Sequence, residues 1–300
     1  MRKYAVLGNC VTRGVTRCVQ FFEPKASVAA IPVWEVPRRF GSADELLSHL
    51  SKYDVVFLFE FNEIEEPFFW GCSAATIVEN CPQCIVFPKI VFAGYHPDQV
   101  YAFDQTTGAS LSSPLPDCHS AIALYGYIKG FASQKIRSMY CTSVFECLGY
   151  FRAWEESAIA LVAGKTARSF KLSEHLLSWA REGCFMHNII HPKITVLADI
   201  AREMMIKAGC RPSGSRNIGS YVPDDLLDSV VWPVYPEIGL HYNIPGAYIF
   251  KLPNAENQDR RLIYLDLDDF INLSLEGYAR YSEDQIRCDR IQEWLQQSIL

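Results

Sequence analysis

The fold is decided by residues 3–22, KYAVLGNCVTRGVTRCVQFF. Residues 3–7 form a short apolar run, which predicts a buried β-strand. In Thr12–Phe22 the apolar residues recur at the spacing of one face of a helix. Gly8-Asn9-Cys10 therefore lies in the turn from a strand to a helix. Because ligands of open α/β sheets bind at the carboxyl ends of strands, this turn is the first candidate site.

Strands and helices continue to alternate after this stretch. Apolar runs predict strands at residues 28–33, 54–59 and 85–92, and helical patterns predict helices at 43–50 and 73–79. Pro32 places the first of these strands at a sheet edge, and Pro88 interrupts the last. Ser42 and Glu45 have the spacing of a capping box. The alternation predicts βαβ units, and hence an α/β fold with a parallel sheet in its amino-terminal layer.

Later parts of the sequence are dominated by longer helical patterns. Long helical patterns at 119–131, 142–163, 173–181 and 192–208 predict a large helical insertion at about 119–208, and residues 209–220 predict a surface loop. A carboxyl-terminal extension at about 243–300 contains a predicted strand at 261–267 and a closing helix with Ser282 and Gln285 as its capping box. No linker or repeat divides these parts, so we expect one α/β domain over residues 1–300.

Composition and charge exclude several classes of protein. With 49% hydrophobic residues, the chain is too apolar to be disordered. A formal net charge of −6 disfavours broad binding to nucleic acids or anionic membranes. No apolar run reaches the roughly 18 residues of a transmembrane segment, and the run after Met1 is too short for a secretory signal. The odd number of cysteines, 11, scattered through apolar segments, indicates reduced thiols and a cytoplasmic protein.

Cys10 is the first candidate for chemistry. It lies beside the amino end of a predicted helix, where the helix dipole favours the thiolate. Gly8 permits a tight turn, and the Asn9 amide is suited to donate to a developing oxyanion. The alternative is that Cys10 is one more small buried apolar residue, like most of the other cysteines.

Two histidine-containing segments are further candidates. Pro192 suits the first position of a helix, so His191 is predicted at its cap, where a positive helix end keeps the imidazole neutral and basic. A purely structural cap is the alternative, and His187 has a weaker case. Tyr95 and His96 lie in a turn after the strand 85–92, where they either contact substrate or only complete the turn.

Two further patterns have the spacing of metal or redox sites. Cys81-Pro82-Gln83-Cys84 has redox or metal spacing, but no second pair supports zinc. Asp266-Leu267-Asp268 has the pattern of metal-dependent sugar-nucleotide transferases, yet acidic residues are also common at the start of a helix. We expect no metal site.

Together, these segments resemble the WcbI-type polysaccharide biosynthesis family. The residues that carry the resemblance are Gly8-Asn9-Cys10, the segment 88–98, His191-Pro192 and the segment 231–240. Val11 and Ile190 depart from the family pattern, which has polar residues at these two positions. The resemblance implies an O-acetyltransferase that moves an acetyl group from acetyl-coenzyme A to a capsule sugar or glycan hydroxyl. In such an enzyme we expect His191 to act as general base, taking its proton either from Cys10, which then carries the acetyl group as a thioester, or directly from the acceptor hydroxyl, with Asn9 as oxyanion donor.

Coenzyme A has three phosphate groups, so such an enzyme needs local cations. The expected contacts to the coenzyme are Gly8, Arg13, Arg17, Tyr95, His96, Lys165 and Arg168, with Lys135 and Arg137 as further cations. The placement of Cys10 also resembles that of the serine in SGNH hydrolases. An acyl-ester hydrolase with the same Cys/His pair and a non-catalytic coenzyme A or glycan-binding module are the alternative functions. No nucleic acid partner is expected.

Overall fold

The computed structural model describes residues 1–61, 65–212, 218–253 and 264–297. Contacts between Cα atoms divide the chain into two compact units. Unit 1 contains Met1–Val91, Ala160–Phe185 and His191–Leu226, and unit 2 contains Phe92–Ile159, Met186–Ile190 and Leu227–Leu300. The single domain over residues 1–300 stays a prediction. Within the described ranges, no helix has both the length and the apolar character that crossing a bilayer requires.

Strands and helices alternate from the start of unit 1. In chain order the strands are β1 (Lys3–Gly8), β2 (Ser27–Pro32), β3 (Val55–Phe59), β4 (Cys84–Phe87), β5 (Gln99–Val100), β6 (Phe103–Asp104), β7 (His119–Ser120), β8 (Met186–Asn188), β9 (His191–Pro192), β10 (Ile249–Lys251), β11 (Tyr264–Asp266) and β12 (Ile286–Arg287). The α-helices are α1 (Thr12–Phe22), α2 (Val36–Arg39), α3 (Ala43–Leu50), α4 (Ala74–Asn80), α5 (Ala121–Ile128), α6 (Ser133–Ser138), α7 (Thr142–Cys147), α8 (Ala153–Ala163), α9 (Lys165–Ser169), α10 (Leu172–Arg181), α11 (Ile194–Lys207), α12 (Pro236–Tyr242), α13 (Leu267–Tyr278) and α14 (Asp289–Gln297). Short 3₁₀ helices lie at Val33–Glu35, Glu66–Phe69, Tyr150–Arg152, Ile218–Ser220, Asp225–Asp228 and Glu283–Gln285.

Among the described residues of unit 1, four strands form a parallel sheet in the order β2-β1-β3-β4. This confirms the predicted α/β class and the parallel amino-terminal layer. The central strands β1 and β3 are buried, as expected for parallel strands covered on both faces. β2 ends at Pro32 on the predicted edge. β4 ends at Phe87, short of the predicted strand 85–92, because Pro88 has no N–H to donate to a neighbouring strand.

The strand order reverses direction between β1 and β3. The chain leaves β1 for β2 and then returns to the other side of β1 with β3. Leu7 of β1 lies opposite Leu58 of β3, so the turns that follow these two strands are neighbours. Asn9 and Cys10 follow β1, and Glu60 follows β3. Such a reversal opens a crevice at the carboxyl ends of the strands, where open α/β sheets bind ligands.

The helices α1 and α11 pack side by side and run in the same direction. Near their starts, a Cβ atom added to Gly14 would lie 2.8 Å from Leu197 Cδ1, so glycine allows the close approach. Further along both helices, the Arg202 guanidinium lies 4.5 Å from the centre of the Phe22 ring. The amino-terminal ends of α1 and α11 therefore lie at the same end of this pair.

The predicted start of α3 is confirmed. Ser42 Oγ accepts a hydrogen bond from the Glu45 N–H at 3.3 Å. The Glu45 carboxylate accepts from the Gly41 N–H at 2.8 Å rather than from Ser42, so the reciprocal bond is displaced by one residue.

Near the carboxyl terminus the predicted capping residues are in place, but the closing helix is shorter than predicted. Ser282 and Gln285 form the predicted capping box around a 3₁₀ turn, and the closing helix begins only at Asp289. Asp266 caps α13, because its carboxylate accepts from the Asp269 N–H at 2.8 Å. This confirms the helix-start explanation of the acidic residues. Residues 261–263 of the predicted strand 261–267 and residues 213–217 of the predicted loop 209–220 lie outside the described residues.

Unit 2 contains much of the predicted helical region. The predicted helix 142–163 is interrupted, because Gly149 has a φ of 72° between α7 and α8. Glycine adopts this left-handed conformation without the steric cost that a Cβ atom brings. The strand pairs β5–β7, β6–β12 and β10–β11 are antiparallel.

Candidate functional site

The turn between β1 and α1 holds Asn9 in a network of hydrogen bonds. Its carbonyl accepts from the Thr12 N–H at 3.0 Å and from Thr12 Oγ1 at 2.6 Å. Its side-chain Oδ1 accepts from the Val11 N–H at 3.3 Å. Because Oδ1 already serves as an acceptor, the side chain offers its amide N–H groups to a ligand. This is the donor type that a developing oxyanion requires.

Gly8 is needed for space rather than for an unusual backbone conformation. Its φ is outside the left-handed region. A Cβ atom at this position would lie 2.9 Å from Thr12 Oγ1 and 3.4 Å from Phe59 Cβ. Gly8 is buried, so its part in the turn is to allow close packing against these neighbours. Its contact with a coenzyme stays a prediction.

Cys10 is half-buried, and its surroundings favour the neutral thiol. Burial raises the pKa of the thiol to about 11, while the backbone N–H groups of Cys10 and Val11 oppose this rise only in part. The expected preference for the thiolate at the helix end is therefore wrong. α1 begins at Thr12, two residues after the thiol, and the loss of water around the sulfur outweighs the stabilisation that these two N–H groups give the thiolate.

His191 does not cap the helix that follows it. α11 begins at Ile194, whose N–H donates to Asp224 Oδ2 at 2.9 Å. Lys193 is the N-cap residue, and its N–H donates to the Phe185 carbonyl at 2.9 Å. The predicted cap is thus replaced by a carboxylate from a distant part of the chain. His191 is half-buried in the short strand β9, directly before the helix.

The parallel packing of α1 and α11 brings the Cys10 and His191 segments to the same end of unit 1. Cys10 lies two residues before α1, and His191 lies three residues before α11. The helix starts are in contact through Gly14 and Ile194. This end is also the carboxyl edge of the sheet, because α1 follows directly from β1. A thiol and an imidazole from distant parts of the sequence therefore share one region.

The predicted cations of α1 differ in their partners. Arg13 is exposed, and within the described residues it forms no ion pair. The Arg17 guanidinium pairs with the Asp225 carboxylate, so a phosphate group would have to compete with that carboxylate. Arg13 is therefore the more available of the two.

The helix α9 brings a second group of cations to the sheet edge. Thr166 Oγ1 donates to Glu60 Oε1 at 2.7 Å, and Glu60 follows β3 at the reversal of the strand order. This bond places the exposed Lys165 near the carboxyl ends of the strands. Arg168 Nη1 donates to the Ala163 carbonyl at 2.5 Å, which occupies part of its guanidinium.

Tyr95 and His96 are part of the interior of unit 2. Each side chain is only 2% exposed, and His96 Nδ1 lies 3.3 Å from the Pro233 carbonyl oxygen. The same turn carries Asp98, which is fully buried. The structure therefore favours a well-bonded turn, and the predicted contacts of Tyr95 and His96 with a coenzyme lack exposed surface here.

The Asp98 carboxylate is the centre of that turn. It accepts hydrogen bonds from Tyr150 Oη and Tyr235 Oη, each at 2.7 Å, and from the Ile122 N–H at 3.0 Å. Burial raises its pKa, and the hydrogen bonds act in the opposite direction. These bonds join several elements of unit 2 around one buried acid.

The sequence model of the polysaccharide biosynthesis enzyme WcbI matches residues 3–213 of the chain, which is more than half of its 300 residues. The chain belongs to the WcbI family. The match runs from β1 through α11 and so includes both Cys10 and His191, but it ends before the segment 231–240. Comparisons with curated proteins and with solved structures found no significant match. The family assignment confirms the resemblance read from the sequence motifs.

Two carboxylates of this WcbI-family protein were not among the predicted site residues. Glu60 directly follows a predicted strand, so the rule that ligands bind at strand ends would have found it. Asp224 has no local signal, since it bonds to a helix start 30 residues away. In the described part of the chain, no three His, Cys, Asp or Glu side chains are grouped so that they could hold a metal ion.

Proposed function

We propose that this WcbI-family protein is a cytoplasmic O-acetyltransferase of capsule polysaccharide biosynthesis. It would move an acetyl group from acetyl-coenzyme A to a hydroxyl of a sugar or glycan. The family assignment supports polysaccharide biosynthesis. The observation that carries the finer proposal is the parallel packing of α1 and α11, which puts the Cys10 and His191 segments at one end of unit 1. A thiol and an imidazole are the nucleophile and base that acyl transfer uses.

His191 is the general base in this proposal. Because burial raises the pKa of Cys10 to about 11, the sulfur is protonated at neutral pH and needs a base during attack. His191 takes the proton as Cys10 Sγ attacks the thioester carbonyl. The Sγ–carbon bond forms, the bond from the acyl carbon to the coenzyme sulfur breaks, and His191 returns the proton to the departing sulfur. Asn9 donates to the carbonyl oxygen while it carries negative charge.

The second half of the reaction uses the same residues. His191 takes the proton from the acceptor hydroxyl as its oxygen attacks the acyl carbon. The Sγ–carbon bond breaks, and Cys10 recovers a proton from His191. In this proposal, Cys10 directly after the first strand would take the place of the nucleophilic serine of SGNH hydrolases.

The phosphate groups of coenzyme A would be bound by cations at the same edge of the sheet. Arg13 follows Cys10 closely, and Lys165 is held near the end of β3 through the bond from Thr166 to Glu60. Both side chains are exposed, and neither forms an ion pair within the described residues. We therefore assign them the main phosphate contacts, because charge-assisted bonds to phosphate are the strong ones.

A non-catalytic coenzyme A-binding module is the second candidate. The raised pKa of Cys10 favours it, since a thiol with a pKa of about 11 is a poor nucleophile unless a base assists it. The two functions differ in whether Cys10 becomes acylated.

Mass spectrometry after incubation with acetyl-coenzyme A, without acceptor, tests the proposal. Wild type should gain one acetyl group, about 42 Da, at Cys10. Cys10→Ser should gain none, while the matched control Cys141→Ser, which changes another half-buried thiol, should behave as wild type.

A thermal-shift titration with coenzyme A completes the design. Ligand at a hundredfold excess over Kd should stabilise the fold by about 2.7 kcal/mol. Absence of any shift at millimolar ligand would contradict both candidates. Binding without an adduct or transfer would support the binding module, and acetyl release to water would support an acyl-ester hydrolase.

A further inference from the structure

Cys81 and Cys84 form a pair of thiols in unit 1 at a turn between a helix and a strand. Cys81 is the C-cap of α4, and Cys84 is the first residue of β4. Both side chains are half-buried. β4 is an edge strand of the sheet in the described residues, and the partial exposure of both side chains gives a small molecule access to the thiols.

The backbone of this turn holds the two sulfurs close together. Pro82 restricts the residue before it to extended conformations, and Cys81 has φ −102° and ψ 143°. The two thiols are hydrogen-bonded to each other. The geometry thus provides neighbouring thiols, partial exposure and a turn stiffened by proline.

We propose that Cys81 and Cys84 are a redox-modified site that forms a reversible disulfide by exchange with a low-molecular-weight disulfide such as glutathione disulfide. The Cys81 thiolate attacks one glutathione sulfur, forms a mixed disulfide and releases one glutathione. Cys84 then loses its proton to solvent and attacks Cys81 Sγ. The mixed disulfide breaks, and the second glutathione leaves. Two protein thiols are oxidised, and one glutathione disulfide is reduced to two glutathione molecules.

The order of attack follows from the bond between the two thiols. This hydrogen bond lowers the pKa of Cys81 and raises that of Cys84, so Cys81 is the attacking thiol and Cys84 the resolving one. Other cysteines offer a contrast. Burial raises the pKa of Cys18 and of Cys118 to about 12, so neither should react under the same conditions.

The test uses the folded full-length protein, excess glutathione disulfide, alkylation and tryptic peptide mapping. The peptide 53–89 contains Cys72, Cys81 and Cys84. In wild type this peptide should lose about 2 Da relative to the reduced form, with Cys81 and Cys84 unalkylated. The matched control Cys72→Ala should give the same result. Cys84→Ala should instead trap one glutathione, about 305 Da, on Cys81, whereas Cys81→Ala should trap none on Cys84.

Several results would overturn the proposal. Full alkylation of Cys81 and Cys84 after oxidant treatment would do so. Loss of the disulfide in Cys72→Ala would also overturn the proposal, because the disulfide would then involve Cys72. Cooperative thermal unfolding checks that each variant is folded. If an alanine variant does not fold, the corresponding serine variant, Cys81→Ser or Cys84→Ser, is used in its place. The outcome is independent of the acetyltransferase proposal, since it requires neither coenzyme A nor Cys10.

Discussion

The ionisation of Cys10 would decide which route the proposed acyl transfer takes, and alkylation at varied pH measures this ionisation. Burial raises the pKa of this thiol from the ordinary 9.0 to about 11, because few groups around the sulfur stabilise its charge. Only the thiolate reacts with an alkylating agent. The thiolate fraction falls tenfold for each unit by which the pKa rises. Cys10 should therefore react about 100-fold more slowly at neutral pH than a thiol with a pKa of 9.0.

The assay follows iodoacetamide labelling of individual cysteines by peptide mass spectrometry across a series of pH values. The labelling rate of Cys10 should increase tenfold per pH unit up to about pH 10, without a plateau. Cys141 is the internal reference, because the Ser143 hydroxyl lowers the pKa of this half-buried thiol. Cys141 should therefore be labelled faster than Cys10 at neutral pH.

A plateau for Cys10 below pH 8 would refute the reasoning. It would mean that a nearby cation holds the sulfur as thiolate, and an imidazolium at His191 would be the first to test. His191→Ala should then remove the plateau. If instead burial controls the sulfur, His191→Ala leaves the labelling rate unchanged and lowers only acetyl transfer, because the histidine acts during attack rather than before it.

Three further predictions concern the helix pair and its cations. His191→Ala should lower the kcat of acetyl transfer about 10²–10⁴-fold while the Kd for coenzyme A stays the same, and an unchanged kcat would remove the histidine from the mechanism. Arg13→Ala should weaken the binding of coenzyme A about tenfold or more in a calorimetric titration. Arg17→Ala should change the affinity little, because Arg17 is already paired with Asp225. If Arg17→Ala had the larger effect, the phosphate site would lie nearer Arg17. Gly14→Val should lower the free energy of unfolding by about 1–3 kcal/mol in denaturant titrations, since its methyl groups meet the neighbouring helix. Gly219→Ala, with open space around the new Cβ atom, is the control, and equal losses in both would contradict the packing argument.

The amino-terminal part of the fold could be predicted from local sequence. The spacing of apolar residues within a short stretch is enough to distinguish a strand from a helix. Thr12–Phe22 is a helix with the predicted bounds, and residues 54–59 differ from the observed strand by one residue. The interruption at Gly149 could not be predicted in this way. The residues on both sides favour a helix, and only the left-handed φ of 72° at this glycine ends it.

The placement of Cys10 after a strand could be predicted, but the electrostatic surroundings of its thiol could not. Cys10 follows β1 as expected, since a strand, a turn and a helix are local features. Its pKa depends on which groups remove water from the sulfur, and these come from tertiary packing. For His96 the sequence leaves contact with substrate or a well-bonded turn open, and the side chain is 2% exposed because it packs against the later segment that contains Pro233.

Two consecutive aspartates that lie beyond the family match bind to the two helices that follow Cys10 and His191. Asp224 accepts the first N–H of α11 at 2.9 Å, and Asp225 pairs with Arg17 of α1. One short segment therefore binds to both helices of the pair, through the backbone of one and a side chain of the other. Each helix starts just after a candidate catalytic residue, so this segment helps to hold together the two helices that the proposed acyl transfer would need to keep aligned. The match at residues 3–213 thus contains both candidate catalytic residues, while part of what holds the two helices comes from the residues that follow.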